Sequence, residues 1–305
     1  MTKKRCIVTG HRGYIGSKVY QALVSRDDCE VIGLDSLDIG NNNLLSIFFA
    51  DGDKDTRRRR LKDFDPHYIF HLAAIPRVGA SIETPFLTMY NNVLSTSLLL
   101  RFAKNCPNLK RFIYSSSSSV KGNGTGPISP YAVQKLASEM ETTVYSSIYG
   151  IDTVSLRYFN VYSADQAADG SYATAVSNWM HHIREGKTPF ITGDGTQRRD
   201  MLHVADAVRA NLFAMDREDR FNGAVYDVGT GTNISLLELK DIVLSHFPEV
   251  EFEMKEDRKG DVRETLAETK PLEDLGFKVE VSLESGLDEC FKLLAAEMRS
   301  KIESD

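Results

Sequence analysis

The chain has 305 residues, with 37 Lys and Arg against 43 Asp and Glu, and this net charge of -6 argues against an extended nucleic-acid-binding surface. Its four cysteines lack paired C-x-x-C spacing, so neither a zinc site nor a disulfide scaffold is expected. The sequence contains no recognisable signal peptide and no apolar run long enough to span a bilayer. We therefore expect a cytoplasmic protein with no nucleic-acid or membrane partner and no metal site.

A glycine-rich turn follows the first predicted strand. Residues 6–9 are apolar and mostly β-branched, and residues 10–16 follow with G-x-x-G-x-x-G spacing. A turn of this kind between strand and helix lets the backbone approach a pyrophosphate, and the helix N-terminus supplies N–H donors. The second predicted strand, residues 30–34, ends at Asp35, whose carboxylate suits ribose hydroxyls and repels a 2′-phosphate. The pattern predicts a dinucleotide site that prefers NAD to NADP.

Strand and helix signals alternate along the first half of the chain. Further strands are predicted at residues 45–50, 67–72, 109–114 and 153–159, and helices at residues 86–105 and 131–148. Such alternation predicts right-handed βαβ units, and hence a Rossmann-like, doubly wound parallel sheet with helices on both faces. The second half predicts a smaller mixed α/β lobe, with helices at residues 173–184, 203–215, 236–247 and 284–301 and a short strand at 190–192.

Tyr131 and Lys135 lie four residues apart in the helix predicted at residues 131–148. At about 1.5 Å rise per residue they share one face, roughly 6 Å apart along the axis. An ammonium at that distance favours the phenolate, so we predict that it lowers the tyrosine pKa from near 10 towards neutrality. The serine run at residues 115–119 lies between an apolar strand and this helix, and is therefore expected to form part of a site.

Together these motifs resemble the extended short-chain dehydrogenase/reductases, specifically the NAD-dependent nucleotide-sugar epimerase/dehydratase family, and most closely its UDP-glucose and UDP-N-acetylglucosamine 4-epimerases. The matching segments occur in the order that the family shows: TGHRGYIG at 9–16, GLD at 33–35, HLAA at 71–74, NNV at 91–93, SSSSSV at 115–120, Y-x-x-x-K at 131–135, RYFNVY at 157–162, GDGTQRRD at 193–200, VGTG at 228–231 and RKGDV at 258–262.

The resemblance implies a role for each matched residue. Tyr131 would be the catalytic acid/base, Lys135 would hold the nicotinamide ribose, and Ser117 would hydrogen-bond the reacting oxygen. The implied cofactor contacts are Gly10, Gly13, Tyr14, Ile15, Gly16, Asp35, Leu72, Ala73, Ala74, Asn92, Tyr131, Lys135 and Phe159, with Asp51 or Asp53 on the adenine. The implied substrate contacts are Arg77, Ser117, Tyr131, Asn160, Arg199, Arg258, Asp261 and Thr265. Arg77 is interpreted as a phosphate contact, with an acidic sugar as the alternative.

The domain division expected from the same resemblance is an NAD-binding Rossmann core at residues 1–162 and a mainly nucleotide-sugar-binding lobe at 163–305. A segment near 200–230 would return to the Rossmann domain. Relatives commonly dimerise through a four-helix bundle, and apolar positions within residues 86–102 and 136–148 would permit a homodimer here.

The residues after Ser117 distinguish between reactions. Family dehydratases carry an acid/base pair there, and decarboxylases tend to carry Glu at the position of Ser119. Ser118 and Ser119 cannot easily replace a carboxyl group as proton donor, because a hydroxyl pKa lies far above neutrality. The pair favours 4-epimerisation by transient C4 oxidation and hydride return. Dehydratase, decarboxylase, UDP-uronate epimerase and a non-catalytic NAD-binding regulatory protein are the alternatives.

The sugar is less narrowly defined. Thr265 matches a position where galactose-type epimerases carry either Tyr or a smaller residue, and Thr leaves room for a C2 N-acetyl group. UDP is favoured as the carrier over dTDP and GDP by general similarity. Two departures from the family bear on the sugar pocket: Lys121 replaces the usual Tyr, and the loop at residues 122–129 is shorter than in relatives.

Overall fold

The computed structural model describes residues 2–36, 56–76, 78–166, 174–257 and 260–304. The strand predicted at residues 45–50 lies outside these ranges. The strands are β1 (Lys4–Thr9), β2 (Cys29–Leu34), β3 (Tyr68–His71), β4 (Arg111–Ser117), β5 (Thr153–Tyr158), β6 (Phe190–Thr192), β7 (Arg198–Arg199), β8 (Ala224–Val228), β9 (Ile234–Ser235) and β10 (Glu253–Lys255).

The helices are α1 (Tyr14–Val24), α2 (Thr56–Phe64), α3 (Val78–Glu83), α4 (Pro85–Met89), α5 (Ser95–Ala103), α6 (Pro130–Tyr149), α7 (Ala175–Arg184), α8 (Val204–Asp216), α9 (Leu236–His246), α10 (Lys270–Glu273) and α11 (Leu283–Ser304). A π-helical segment, Tyr90–Leu94, joins α4 to α5, and a 3₁₀ turn, Ser118–Lys121, follows β4. None of the helices in the described ranges has both the length and the apolarity of a membrane span.

Six parallel strands form the main sheet, in the order β2-β1-β3-β4-β5-β8. This arrangement confirms the predicted Rossmann-like fold class. The order reverses direction at β1 and β3, and ligands of such sheets bind outside the carboxyl ends of the strands at this switch point. Strand β4 runs three residues further than predicted, so that Ser115, Ser116 and Ser117 end a strand and are not part of a loop.

By its internal contacts the chain divides into two compact units. Unit 1 comprises Met1–Val120, Ser129–Arg157 and Val208–Tyr226, and unit 2 comprises Lys121–Ile128, Tyr158–Ala207 and Asp227–Asp305. The core of unit 1 includes Ile7, Ile69, Leu99, Phe112 and Tyr114. The core of unit 2 includes Tyr162, Trp179, Leu239, Phe291 and Leu294. The predicted functional division at residue 162 stays a prediction.

Candidate active site

The glycine turn of unit 1 folds tightly against the end of β3. Gly10 has φ +72°, and a Cβ at this position would lie 2.8 Å from the Cα of Ala73. A Cβ on Gly16 would lie 2.0 Å from the carbonyl oxygen of Gly10, which itself accepts the Gly13 N–H at 2.9 Å. Only glycine permits both approaches. Gly13 caps α1 without a side-chain hydrogen bond, so no capping side chain stands between the first turn of the helix and a ligand. Tyr14 and Ile15, predicted to contact the cofactor, begin this turn.

Asp35 lies directly after β2 and faces this turn. Its Oδ2 accepts the backbone N–H of Arg12 at 3.2 Å, and the residue is buried. The carboxylate is therefore held next to the turn that would carry the pyrophosphate, as a ribose contact requires. The predicted adenine contacts Asp51 and Asp53 lie outside the described residues.

The segment after β3 is fixed by Thr9, the last residue of β1. The Thr9 hydroxyl hydrogen-bonds Nδ1 of His71 at 2.8 Å and accepts the Ala73 N–H at 3.2 Å, while the Thr9 carbonyl accepts the Leu72 N–H. Burial and the Lys135 charge lower the His71 pKa to about 3. His71 is therefore neutral near pH 7, and its bond to Thr9 helps to fix the segment that contains Leu72 and Ala73.

Asn92 lies in the π-helical segment, and its side chain is fully engaged with protein groups. Its Oδ1 accepts the Ile75 N–H at 2.7 Å, and its amide donates to the Ile75 carbonyl and to Oε1 of Gln134. Asn92 was predicted to contact the cofactor. In unit 1 its observed contacts tie the loop after β3 to α6, and π-helical turns of this kind often occur at functional sites.

Helix α6 presents Tyr131 and Lys135 because its start is fixed by the sequence. The Ser129 hydroxyl accepts the Ala132 N–H, Pro130 occupies the first turn, and Gly150 ends the helix in a left-handed conformation. Tyr131 and Lys135 are both buried. The Ser117 hydroxyl lies close enough to the Tyr131 phenol to favour its ionised form, and Nζ of Lys135 donates to the Ser115 carbonyl at 2.8 Å. Unit 1 thus brings together the three residues predicted to be catalytic.

The prediction that Lys135 lowers the pKa of Tyr131 is wrong for the protein by itself. Burial disfavours the phenolate and raises the Tyr131 pKa to about 12, with the Ser117 hydrogen bond offsetting part of that effect. Burial also lowers the Lys135 pKa to about 8, since its ammonium is removed from water. Helical spacing alone could not reveal this, because the burial comes from elements distant in sequence.

Unit 2 contains a cavity of about 190 Å³ that three of the predicted substrate residues line: Asn160, Arg199 and Asp261. Nη2 of Arg199 donates to Oδ1 of Asp261 at 2.8 Å, so the two residues form an ion pair at the cavity wall. The remaining lining residues are Thr174, Ala175, Asn178, Trp179, Phe190, Thr192, Met201, Ile234 and Leu236. Arg77 and Arg258, also predicted to bind substrate, lie outside the described residues.

Thr265 is tied to Asn160, which has φ +32°. Nδ2 of Asn160 donates to the Asp200 carbonyl at 2.6 Å and to the Thr265 hydroxyl at 3.0 Å. The Thr265 hydroxyl also accepts the Asp200 N–H, and the residue is buried. Asn160 therefore has both amide donors committed to protein groups, and Oδ1 is the atom that it can offer to a ligand.

Lys121, which replaces the tyrosine usual in the family, forms an ion pair with Asp227. Its ammonium also lies 5.6 Å from the ring centroid of Phe159, a predicted cofactor contact. Phe159 is buried within unit 2, where its N–H donates to the Val228 carbonyl. The substitution at Lys121 is evident from the sequence, but its carboxylate partner is not, because Asp227 lies 106 residues away along the chain.

Other site residues escaped prediction altogether. Trp179 and Phe190 at the unit 2 cavity read as ordinary core residues, and their spacing carries no separate signal. Glu139 was not predicted either, but a signal for it exists. It lies one helical turn after Lys135 and so continues the Tyr131–Lys135 spacing.

The glycine turn, Asp35, the half-buried Ser117 and the buried Tyr131 and Lys135 define an NAD-dependent Rossmann enzyme. The chain belongs to the NAD dependent epimerase/dehydratase family, whose model matches residues 6–229. This confirms the resemblance drawn from the motifs and identifies NAD as the cofactor. The residues of unit 1 fit NAD, because the turn exposes backbone where a pyrophosphate would lie and Asp35 stands at the position of a ribose contact.

Individual relatives carry different names. A putative UDP-glucose 4-epimerase of Methanocaldococcus jannaschii is 31% identical over 299 residues, covering 92% of this chain and 95% of that protein. The UDP-N-acetylglucosamine 4-epimerase of Methanobrevibacter ruminantium, solved with UDP-N-acetylmuramic acid, is 30% identical with a TM-score of 0.83, covering 97% and 100%. The UDP-glucuronic acid 4-epimerase of Bacillus cereus, solved with UDP-glucuronic acid and NAD, is 29% identical with a TM-score of 0.82, covering 96% and 99%.

Proposed function

We propose that this protein is an NAD-dependent UDP-sugar 4-epimerase. The observation that carries the proposal is the cluster in which the half-buried Ser117 lies beside the buried Tyr131 phenol, with Lys135 anchored on the Ser115 carbonyl. Such a cluster moves a proton at a sugar hydroxyl and offers nothing that would expel water from the neighbouring carbons. The relatives with 4-epimerase names support the same reaction.

Each catalytic residue has one task in this reaction. When bound, NAD⁺ accepts and returns a hydride, and its positive charge opposes the effect of burial on the Tyr131 pKa. Tyr131 takes the proton of the C4 hydroxyl at its phenolic oxygen and later returns it. Ser117 donates a hydrogen bond that favours the phenolate and orients the reacting oxygen. Lys135, anchored on the Ser115 carbonyl, would hold the nicotinamide ribose.

Dehydration and decarboxylation are disfavoured by the residues after Ser117. Ser118 and Ser119 carry hydroxyls only, and within the described ranges Oγ of Ser119 is buried without a hydrogen-bond partner. Glu139, the carboxylate that bonds the end of β4, is already paired with Arg157 and Ser116. It is therefore not available as a general acid for water loss.

We assign the nucleotide to unit 2. Arg199 lies at the cavity wall, where Nη2 of its guanidinium is paired with Asp261, and a guanidinium at this wall suits diphosphate oxygens. Asn160 and Thr174 add polar groups to the same cavity. UDP is proposed as the carrier because the relatives' names share it. UDP-glucose and UDP-N-acetylglucosamine are the proposed sugars, and UDP-glucuronate is the acidic alternative.

The proposal is tested by incubating the enzyme with UDP-glucose, UDP-N-acetylglucosamine and UDP-glucuronate and following the C4 proton by NMR. We expect inversion at C4 without net formation of NADH, because the hydride returns to the same sugar. A 4-keto-6-deoxy product would show that the enzyme is a dehydratase, and release of CO₂ would show that it is a decarboxylase. Activity on UDP-glucuronate alone would reassign the sugar.

Thr265 offers a separate prediction about the sugar pocket. Thr265→Val keeps the side-chain volume but removes the hydroxyl that accepts both the Asn160 amide and the Asp200 N–H. Loss of the neutral bond to Asn160, the residue at the cavity, corresponds to about a 3- to 10-fold effect. We expect KM to rise by that factor for UDP-glucose and UDP-N-acetylglucosamine alike, with Thr265→Ser close to wild type. Steady-state kinetics on both sugars decide the matter. An effect confined to the N-acetyl sugar would mean that Thr265 acts as a size gate.

We also propose that two copies pair through the exposed apolar face of α4 and α6. Phe86 and Leu87 on α4 and Met140, Val144 and Ile148 on α6 are exposed, with Ile148 at 67%. Grouped exposed apolar residues, unlike scattered single ones, mark association sites. Met140→Arg combined with Ile148→Arg should give a monomer by light scattering. Val24→Arg, at an apolar residue on α1 that is 54% exposed, should leave the dimer intact. A wild-type monomer would refute the pairing.

A further inference from the structure

Three consecutive serines of β4 face three residues spaced one turn apart on α6. The Ser115 carbonyl accepts Nζ of Lys135 at 2.8 Å, the Ser116 hydroxyl donates to Oε2 of Glu139 at 2.8 Å, and Ser117 lies beside the Tyr131 phenol and favours its ionised form. Positions i, i+4 and i+8 share one helix face, so the strand end and the helix are joined along their length. The contacts of Ser115 and Ser117 involve predicted catalytic residues, whereas the Ser116–Glu139 bond involves none.

Glu139 is held rigidly. It is buried, and its two carboxylate oxygens accept a bidentate pair of bonds from Arg157, at 2.9 Å from Nε and 2.6 Å from Nη2. Arg157 lies on β5, the neighbour of β4 in the sheet. Bidentate guanidinium–carboxylate pairs define both distance and orientation. The carboxylate is therefore a fixed point between α6 and β5 to which Ser116 is attached.

We propose that Glu139 is a positioning residue for the epimerase reaction. By holding Ser116, it fixes the position of the end of β4 relative to α6. This in turn places the Ser117 hydroxyl beside Tyr131 and the Ser115 carbonyl within hydrogen-bond distance of Lys135. The backbone carries the constraint directly, because Ser116 lies between the two residues that are positioned. The inference rests on the proposed function for its kinetic consequences, and its structural consequence stands apart from them.

The chain offers a matched control at the other end of the same two strands. Nε of Arg111, the first residue of β4, donates to Oδ2 of Asp152 at 2.6 Å, and both side chains are buried. Asp152 precedes β5 directly. Asp152→Asn therefore disrupts a buried ion pair that links the same strands at the end remote from Tyr131.

The experiment compares Glu139→Gln, Ser116→Ala and Asp152→Asn. Because small displacements of catalytic groups can cost as much as 10²-fold, we expect Glu139→Gln to lower kcat by about 10- to 100-fold with KM nearly unchanged. Ser116→Ala, which leaves the ion pair with Arg157 in place, should lower kcat in the same direction. Asp152→Asn should lower the melting temperature and leave kcat close to that of the wild type. If Glu139→Gln does not fold, Ser116→Ala decides the matter.

The pH profile separates positioning from general loosening of the fold. The Ser117 hydrogen bond lowers the Tyr131 pKa. If Ser117 moves away from Tyr131, the tyrosine pKa should rise. The part of the kcat/KM profile that increases with pH should therefore shift to higher pH in Glu139→Gln and Ser116→Ala, but not in Asp152→Asn. Equal kcat losses in Glu139→Gln and Asp152→Asn, without a shift in the profile, would overturn the proposal.

Hydrogen exchange supplies a readout that needs no turnover. Faster exchange of the peptide containing residues 115–121 is expected in Glu139→Gln and Ser116→Ala, and unchanged exchange there in Asp152→Asn. Wild-type exchange rates in both Glu139→Gln and Ser116→Ala would also overturn the proposal. If the wild-type enzyme epimerises no nucleotide sugar, the proposed function fails, whereas the exchange data still test the position of β4.

Discussion

Replacing Tyr131 by phenylalanine is expected to lower kcat by about 10²- to 10⁴-fold, the range of a lost general acid/base. Phenylalanine keeps the buried ring but has no proton to exchange with the C4 hydroxyl and no acceptor for the Ser117 hydrogen bond. The affinity for NAD should stay close to that of the wild type, because the glycine turn and Asp35 are untouched. The measurement is kcat by NMR at C4, together with NAD binding by calorimetry.

The pH dependence of kcat/KM provides a second test of the role of Tyr131. Tyr131 must be ionised to take the proton, so wild-type kcat/KM should rise with pH through the tyrosine pKa in the NAD complex. The protein alone holds that pKa at about 12, and bound NAD⁺ should bring it lower. The rising limb should vanish in Tyr131→Phe. A Tyr131→Phe enzyme that keeps both the limb and most of kcat would remove Tyr131 from the mechanism.

Replacing Lys135 by methionine should abolish most activity and yet stabilise the fold at pH 7. Burial lowers the Lys135 pKa from 10.5 to about 8, a difference that corresponds to about 3 kcal/mol against the charged folded state. Loss of the hydrogen bond to the Ser115 carbonyl offsets about 1 kcal/mol of that gain. We therefore expect the free energy of unfolding to rise by about 2 kcal/mol.

The gain from Lys135→Met should depend on pH in a defined direction. Below about pH 8 the lysine is charged in both states and the full burial penalty is present. Between the folded and unfolded pKa values the unfolded chain binds more protons, so wild-type stability rises with pH relative to the variant. Above the unfolded value of 10.5 both states are neutral and the gain is gone. Urea unfolding of both proteins at neutral and alkaline pH tests this, and a gain independent of pH would contradict it.

These two predictions arise from a conflict that the sequence does not show. Spacing along α6 implied that Lys135 would lower the Tyr131 pKa. The residues packed over that helix face instead withdraw both side chains from water, and this burial raises the Tyr131 pKa. A site that places a base in such surroundings depends on the bound cofactor's charge. Under the proposed function, proton transfer at Tyr131 is therefore linked to the presence of NAD⁺.

Local features of the chain could be read without the structure. Gly10 and Gly16 mark a turn because no other residue tolerates the backbone approaches that it makes, and Ser129, Pro130 and Gly150 mark the ends of α6 by capping chemistry. Asp35 and Ser117 follow predicted strands, so their arrival at one edge of a parallel sheet follows from the βαβ pattern. The fold class could therefore be predicted from the sequence.

By itself, the sequence determined the Rossmann-like fold class from strand order and the preference for NAD from the glycine turn and Asp35. Helical spacing indicated the pair Tyr131 and Lys135, and the family resemblance singled out Ser117 from the serine run. Only the tertiary structure decided which donors are already committed, as at Asn160, which carboxylates are paired, as at Glu139, and in which direction burial moves the pKa values. These properties come from neighbours far apart along the chain, whose distances no local spacing encodes.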